Sequence, residues 1–118
     1  MPDSYLLSLG GLSVGWQRPA GGAARLRLQG ELDNLSVPVL HETVDTLYAS
    51  GCFQISLNLS ELTFIDSSGL GALVAVWRRC QREGGRATVV NPSVPVRRLM
   101  DMTGIARFLI PAEERPAP

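Results

Sequence analysis

The residues with the greatest chemical potential in this chain are Asp66-Ser67-Ser68-Gly69-Leu70-Gly71. Two hydroxyls follow a carboxylate at the point where an apolar run ends and Leu70, Leu73, Val74 and Trp77 begin to recur at helical spacing. At a helix start the first N–H groups lack intrahelical partners and the positive end of the dipole emerges. Two readings of the serines stand. In one, Asp66, Ser67 or Ser68 simply caps the helix. In the other, a serine hydroxyl is left exposed where an added phosphate is tolerated. Gly69 and Gly71 bear on the choice, because each Gly inside a helix costs up to about 1 kcal/mol relative to Ala and a cap requires neither. Small residues here let a second backbone come close, whether that of a docking partner or that of the domain's own sheet.

Other constellations lead less far. A Ser67–His41–Asp triad can be drawn, but Ile65 stands where a nucleophile elbow needs its first Gly, and a lone helix His is most often a surface or packing residue. Gly69-Leu70-Gly71 lacks the third Gly and distant acid of a dinucleotide fingerprint. Cys52 and Cys80 have no ligand companions, so no metal set is expected, and two free thiols in a reducing compartment is the plain interpretation. Glu31 and Asp33 are read as turn-forming or capping acids. Arg78, Arg79, Arg82 and Arg86 are read as a solvated cationic face near a helix C-terminus.

These residues need elements to hold them. Residues 5–16 read as a strand interrupted at Gly10-Gly11, with Leu12, Val14 and Trp16 alternating. Arg18-Pro19-Ala20-Gly21-Gly22 turns the chain into a strand over Ala24–Gln29, with Leu26 and Leu28 inward and Arg25 and Arg27 outward. Ser36 is placed to cap a helix with Pro38 in its first turn and Val37, Leu40, Val44 and Leu47 on one face. Phe53, Ile55, Leu57 and Leu59 form the next strand, bent at Ser60-Glu61. The helix after Asp66 ends at Gly84-Gly85. Ala87–Val90 is a short buried strand, Ser93 caps a third helix ended by Gly104, and Phe108-Leu109-Ile110 reads as a last strand. The order β–β–α–β–α–β–α–β predicts an α/β fold: one domain over 1–118, core about 5–110, with a mixed, mostly parallel sheet, helices mainly on one face, three parallel crossovers and a flexible tail at 111–118.

Composition narrows the function. The chain has 118 residues, 45% hydrophobic, with 11 basic and 11 acidic residues, enough for one domain that folds without disulfides or metal. Zero formal net charge argues against non-specific nucleic-acid binding. Every basic residue is Arg, and the lack of Lys removes the P-loop lysine, Schiff-base chemistry and a Ser–Lys dyad together. No apolar run is long enough to span a membrane, and the start, Met1-Pro2-Asp3-Ser4, lacks a basic leader. A cytoplasmic protein without cofactor, direct nucleic-acid contact or membrane contact is the expectation.

The stretch from Leu57 to Leu73, Leu-Asn-Leu-Ser-Glu-Leu-Thr-Phe-Ile-Asp-Ser-Ser-Gly-Leu-Gly-Ala-Leu, resembles the signature of STAS domains, more narrowly of bacterial anti-sigma factor antagonists. Gly30-Glu31-Leu32-Asp33, Val90-Asn91-Pro92-Ser93 and Met102-Thr103-Gly104-Ile105 agree, so the similarity spans about Leu12 to Ile110. Asn58 departs from the pattern, standing where many relatives have Asp. The resemblance implies a non-enzymatic switch that binds an anti-sigma factor serine kinase when unphosphorylated and so releases a sigma factor. It implies that the kinase phosphorylates Ser67 and that a metal-dependent PP2C-type phosphatase reverses this. It places Asp33 and Ser36 beside Asp66, Ser68, Gly69, Leu70 and Gly71 in the partner-binding surface. The alternative is a non-switching STAS scaffold subunit of a stress-signalling assembly or lipid transporter, in which Ser67 is structural; a small serine hydrolase stands third.

Overall fold

Strict alternation builds the sheet. Leu12, Val14 and Trp16 on one strand, Ala24, Leu26 and Leu28 on the next, Ile55, Leu57 and Leu59 on a third, and Ala87 and Val89 on a fourth are all buried, while their neighbours in sequence are exposed or half-buried. The computed structural model describes residues 4–19 and 21–111. The strands are β1 (Ser4–Leu9), β2 (Leu12–Gln17), β3 (Ala23–Leu32), β4 (Gln54–Ile65) and β5 (Arg86–Val90), in that order across one sheet. β1–β2 and β2–β3 are antiparallel; β3–β4 and β4–β5 are parallel. The helices are α1 (Val37–Ala49), α2 (Ser67–Arg82), α3 (Val94–Thr103) and the short α4 (Ala106–Leu109).

The helices follow from the same arithmetic at period 3.6. Val39, Leu40, Val44 and Leu47 give α1 one buried stripe, and Leu70, Leu73, Val76 and Cys80 give α2 another. Both parallel crossovers, β3–α1–β4 and β4–α2–β5, lay their helix against the buried side of the sheet. The opposite side keeps Arg25, Arg27 and Gln29 in solvent. That arrangement is the expected α/β architecture, with α1 and α2 on one face.

Three expectations are corrected. The run 5–16 is two strands, because Gly10 and Gly11 both adopt positive φ (65° and 84°) and close a two-residue hairpin turn that splits the segment. Phe108-Leu109-Ile110 is not a strand: Ala106–Leu109 is a helical turn that buries Ala106 and Leu109, so among the described residues there is no third crossover and three strands run parallel. Neither Ser36 nor Ser93 caps its helix by a side-chain bond. Ser93 instead donates its hydroxyl to the Leu62 carbonyl and straps the start of α3 to β4. The bend expected at Ser60-Glu61 is present as a bulge within β4, with a register shift against β3 and the Ser60 N–H bound to Asn58 Oδ1 at 3.0 Å. The tail expected over 111–118 lies, apart from Pro111, outside the described residues.

Candidate functional site

Parallel pairing brings two loops to the same end of the sheet. Leu32 and Ile65 are register partners at the ends of β3 and β4, so Asp33 and Asp66 leave adjacent strands side by side, and the Asp66 N–H bonds back to the Leu32 carbonyl at 3.3 Å. The crevice beyond the carboxyl ends of parallel strands is where open α/β sheets place their function.

At Asp66 the capping question is resolved. Its backbone is extended (φ −115°, ψ −172°) and its Oδ1 accepts the Gly69 N–H at 2.9 Å, an N-cap bond. Since the aspartate caps the helix, the serines do not. Ser67 and Ser68 form the first turn of α2, both are exposed, and neither hydroxyl has a hydrogen-bond partner among the described residues. A free hydroxyl therefore stands beside unsatisfied N–H groups at the positive end of a helix of 16 residues.

The second loop is braced by a reciprocal set of bonds. Asp33 Oδ1 accepts the N–H groups of Leu35 (3.0 Å) and Ser36 (3.1 Å), and the Asp33 carbonyl accepts the Val37 N–H at 2.9 Å. The Ser36 hydroxyl accepts the Asp33 N–H at 3.0 Å and donates to the Glu31 carbonyl at 2.7 Å. Asp33 thus braces the turn that leads into α1, whose start carries no side-chain cap. Ser36 is fully buried (0% exposed), so its hydroxyl offers nothing to a partner and acts by holding Asp33 in place. Asp33 is half-buried, with Glu31 exposed beside it.

The glycines divide. A Cβ on Gly69 would run into the Leu32 carbonyl oxygen and lie 2.9 Å from Leu32 Cγ, so its smallness serves the domain's own packing of α2 on β3 rather than docking. A Cβ on Gly71 would meet nothing within 4 Å, and Gly71 is exposed. Leu70 is buried in the core and presents no side chain to a partner. Of the eight positions singled out in the sequence, Asp33, Asp66, Ser67, Ser68 and Gly71 reach the surface, while Ser36, Gly69 and Leu70 hold it from beneath.

His41 is exposed on α1, and no hydrogen bond joins it to Ser67. Among the described residues, no group of three or more His, Cys, Asp or Glu is placed to hold a metal ion, and no helix is long and apolar enough to cross a membrane. Sequence reasoning missed three exposed apolar residues at this end: Leu35 (77% exposed) in the Asp33 turn, Phe64 (46%) opposite Glu31, and Val94 (69%) beside the strap at Ser93. Leu35 carried a readable signal, an apolar residue inside a polar turn with no helical or strand period to account for it.

A family model described as Mlab, STAS domain, matches residues 17–111. The anti-sigma F factor antagonist of Paenibacillus polymyxa is 34% identical over 89 residues, covering 75% of this chain and 76% of that protein. The solved structure of the anti-sigma factor antagonist SpoIIAA in its unphosphorylated form superposes with a TM-score of 0.73 at 28% identity, covering 86% of this chain and 89% of the other. The phosphorylated form of the Bacillus cell fate determinant SpoIIAA superposes at 0.68 with 27% identity, over 86% and 92% of the two chains.

Proposed function

The chain belongs to the STAS domain family, among relatives that are anti-sigma factor antagonists, and from that premise we propose that it is itself an anti-sigma factor antagonist switched at Ser67. In its unmodified form it binds an anti-sigma factor serine kinase and releases a sigma factor; phosphorylation of Ser67 ends that binding, and a PP2C-type phosphatase restores it. The observation that carries the reading is the division of labour at the helix start: Asp66 takes the cap and leaves the Ser67 hydroxyl exposed and unbonded. A structural serine would be expected to use its hydroxyl. That solved structures of SpoIIAA in its unphosphorylated and phosphorylated forms both superpose on this chain supports a phosphate that does not unfold the domain.

Among the described residues no side chain is bonded to the Ser67 hydroxyl as a general base, so the kinase brings base, ATP and Mg²⁺, and the domain acts as its substrate. Asp33, Asp66 and Gly71 line the contact, with Leu35, Phe64 and Val94 as its apolar rim. A phosphate on Ser67 adds nearly two negative charges. Within the domain it gains about 0.3–1 kcal/mol from the helix end, offset by repulsion from Asp66, so the fold is kept. Against a partner surface shaped for a neutral hydroxyl the same dianion is desolvated beside Asp33 and Asp66. An uncompensated buried charge costs several kcal/mol, and about 3 kcal/mol is already more than a hundredfold in affinity.

The test is incubation with the anti-sigma serine kinase of the same genome and ATP, followed by mass spectrometry of the Ser67 peptide and by titration of the variants. Ser67→Asp is expected to keep the wild-type circular dichroism spectrum and lose binding by a factor of about a hundred or more. Ser67→Ala is expected to bind and to resist inactivation by ATP. Full binding by Ser67→Asp together with no phosphate at Ser67 overturns the proposal and leaves a scaffold role.

A further inference from the structure

β1 is an edge strand without the usual protection of an edge. Its segment, Ser-Tyr-Leu-Leu-Ser-Leu, has no charge and no proline, and it pairs with β2 along its whole length while its other side meets no strand among the described residues. The matched family region begins at residue 17, so β1 lies outside it. The other edge, β5, is of similar length and likewise has helices packed against it, but it opens on the charged Arg86. Natural sheets blunt edges with charge, proline, bulges or shortness, and a flat apolar edge is a template for another strand.

Geometry decides which groups are free. The Gly10-Gly11 hairpin makes Leu9 and Leu12 the hydrogen-bonded pair that closes the turn, and alternation makes Leu7–Val14 and Tyr5–Trp16 the following bonded pairs. The N–H and C=O groups of Ser4, Leu6 and Ser8 therefore point away from the sheet. In an antiparallel pairing of β1 with itself, one register uses all of them: Leu6 opposite the second copy's Leu6, and Ser4 opposite the second copy's Ser8. An antiparallel self-pairing is generated by a two-fold axis, the commonest closed symmetry. Leu6, 66% exposed in the single chain, then packs against its own mate across the axis. An uncharged strand meets no like-charge repulsion from its copy, whereas β5 would set Arg86 near a second arginine-bearing edge.

We propose that the chain forms a two-fold dimer by antiparallel β1–β1 pairing centred on Leu6, joining two sheets into one and leaving both Ser67 ends free. The occupant of the edge is a second copy of this chain. The pairing is separate from the switch at Ser67, which stands or falls on its own experiment.

Light scattering of the full chain over a concentration series is the test. The wild type is expected to rise from the monomer mass toward twice that mass. Leu6→Lys and Leu6→Glu each place like charges on the axis and are expected to weaken the dimer about tenfold or more. An equimolar mixture of the two is expected to recover it, a rescue that damage to the fold would not produce. Ser8→Pro is the second variant: the Ser8 N–H points outward, so its loss spares the β1–β2 ladder and blocks only the dimer. Circular dichroism checks that each variant folds. A wild type that stays monomeric, a dimer that persists in Leu6→Lys and Ser8→Pro, or a Lys–Glu mixture that stays monomeric overturns the proposal.

Discussion

Ser67 and Asp66 illustrate how adjacent polar residues come to have different roles. Both could have capped α2, and the aspartate does, through a 2.9 Å bond from the Gly69 N–H. The neighbouring glycines split just as sharply. Gly69→Ala is expected to cost roughly 1–3 kcal/mol, because the new methyl meets the Leu32 carbonyl and either α2 or β3 must shift. Gly71→Val is expected to change stability by less than about 0.5 kcal/mol, since its side chain enters open space, while reducing partner binding if Gly71 lies in the contact. Denaturant melts of the two variants, read beside a binding titration, check this. Equal losses of stability would show that both glycines serve internal packing.

Among the elements, the turn from Glu31 to Val37 is held by several side-chain-to-backbone bonds. The buried Ser36 hydroxyl holds two backbone groups five and three residues earlier, and Asp33 in turn holds the N–H groups that lead into α1. Ser36→Ala leaves the Asp33 N–H and the Glu31 carbonyl short of a partner in a place water enters poorly. A loss of about 1–3 kcal/mol is expected, together with weaker partner binding as Asp33 loosens. Ser36→Thr, which keeps the hydroxyl, is expected to recover part of the binding. Hydrogen exchange at the Asp33 amide distinguishes local loosening from global unfolding: faster exchange there with β4 unchanged is the expected outcome.

At the scale of the molecule, the core on the helix side of the sheet controls the response to alkali. Burial pushes the Cys80 thiol from its ordinary 9.0 up to about 11, against a smaller opposing effect of Arg79, and Tyr48 is raised in the same direction chiefly by burial. In each case the folded state keeps its proton where the unfolded chain has released it. The contribution is intact below the unfolded pKa, and stability falls as pH rises from about 9 toward 11 for Cys80. Melting temperatures from pH 8 upward are expected to decline through that window, with a shallower slope in Cys80→Ala, whose remaining slope comes from Tyr48. An identical slope in wild type and Cys80→Ala would show that the thiol stays accessible to solvent.

What was legible in the sequence was whatever depends on short-range periodicity. The alternation of Leu26 and Leu28 with Arg25 and Arg27, the helical stripes of α1 and α2, and the strand-to-helix junction at Asp66 all follow from burying apolar atoms on one side of a regular backbone. The motif around Ser67 was legible for the same reason, since its elements are contiguous in the chain. Tertiary structure alone decided which of several capable residues takes each role. Ser93 bonds the Leu62 carbonyl rather than capping α3, because that partner lies on another strand. Phe108-Leu109-Ile110 had the composition of a strand, but Ala106–Leu109 forms a helical turn packed against α3 and β5. Gly69 is small because β3 lies against it, and a distant Leu32 carbonyl leaves no periodic trace near residue 69.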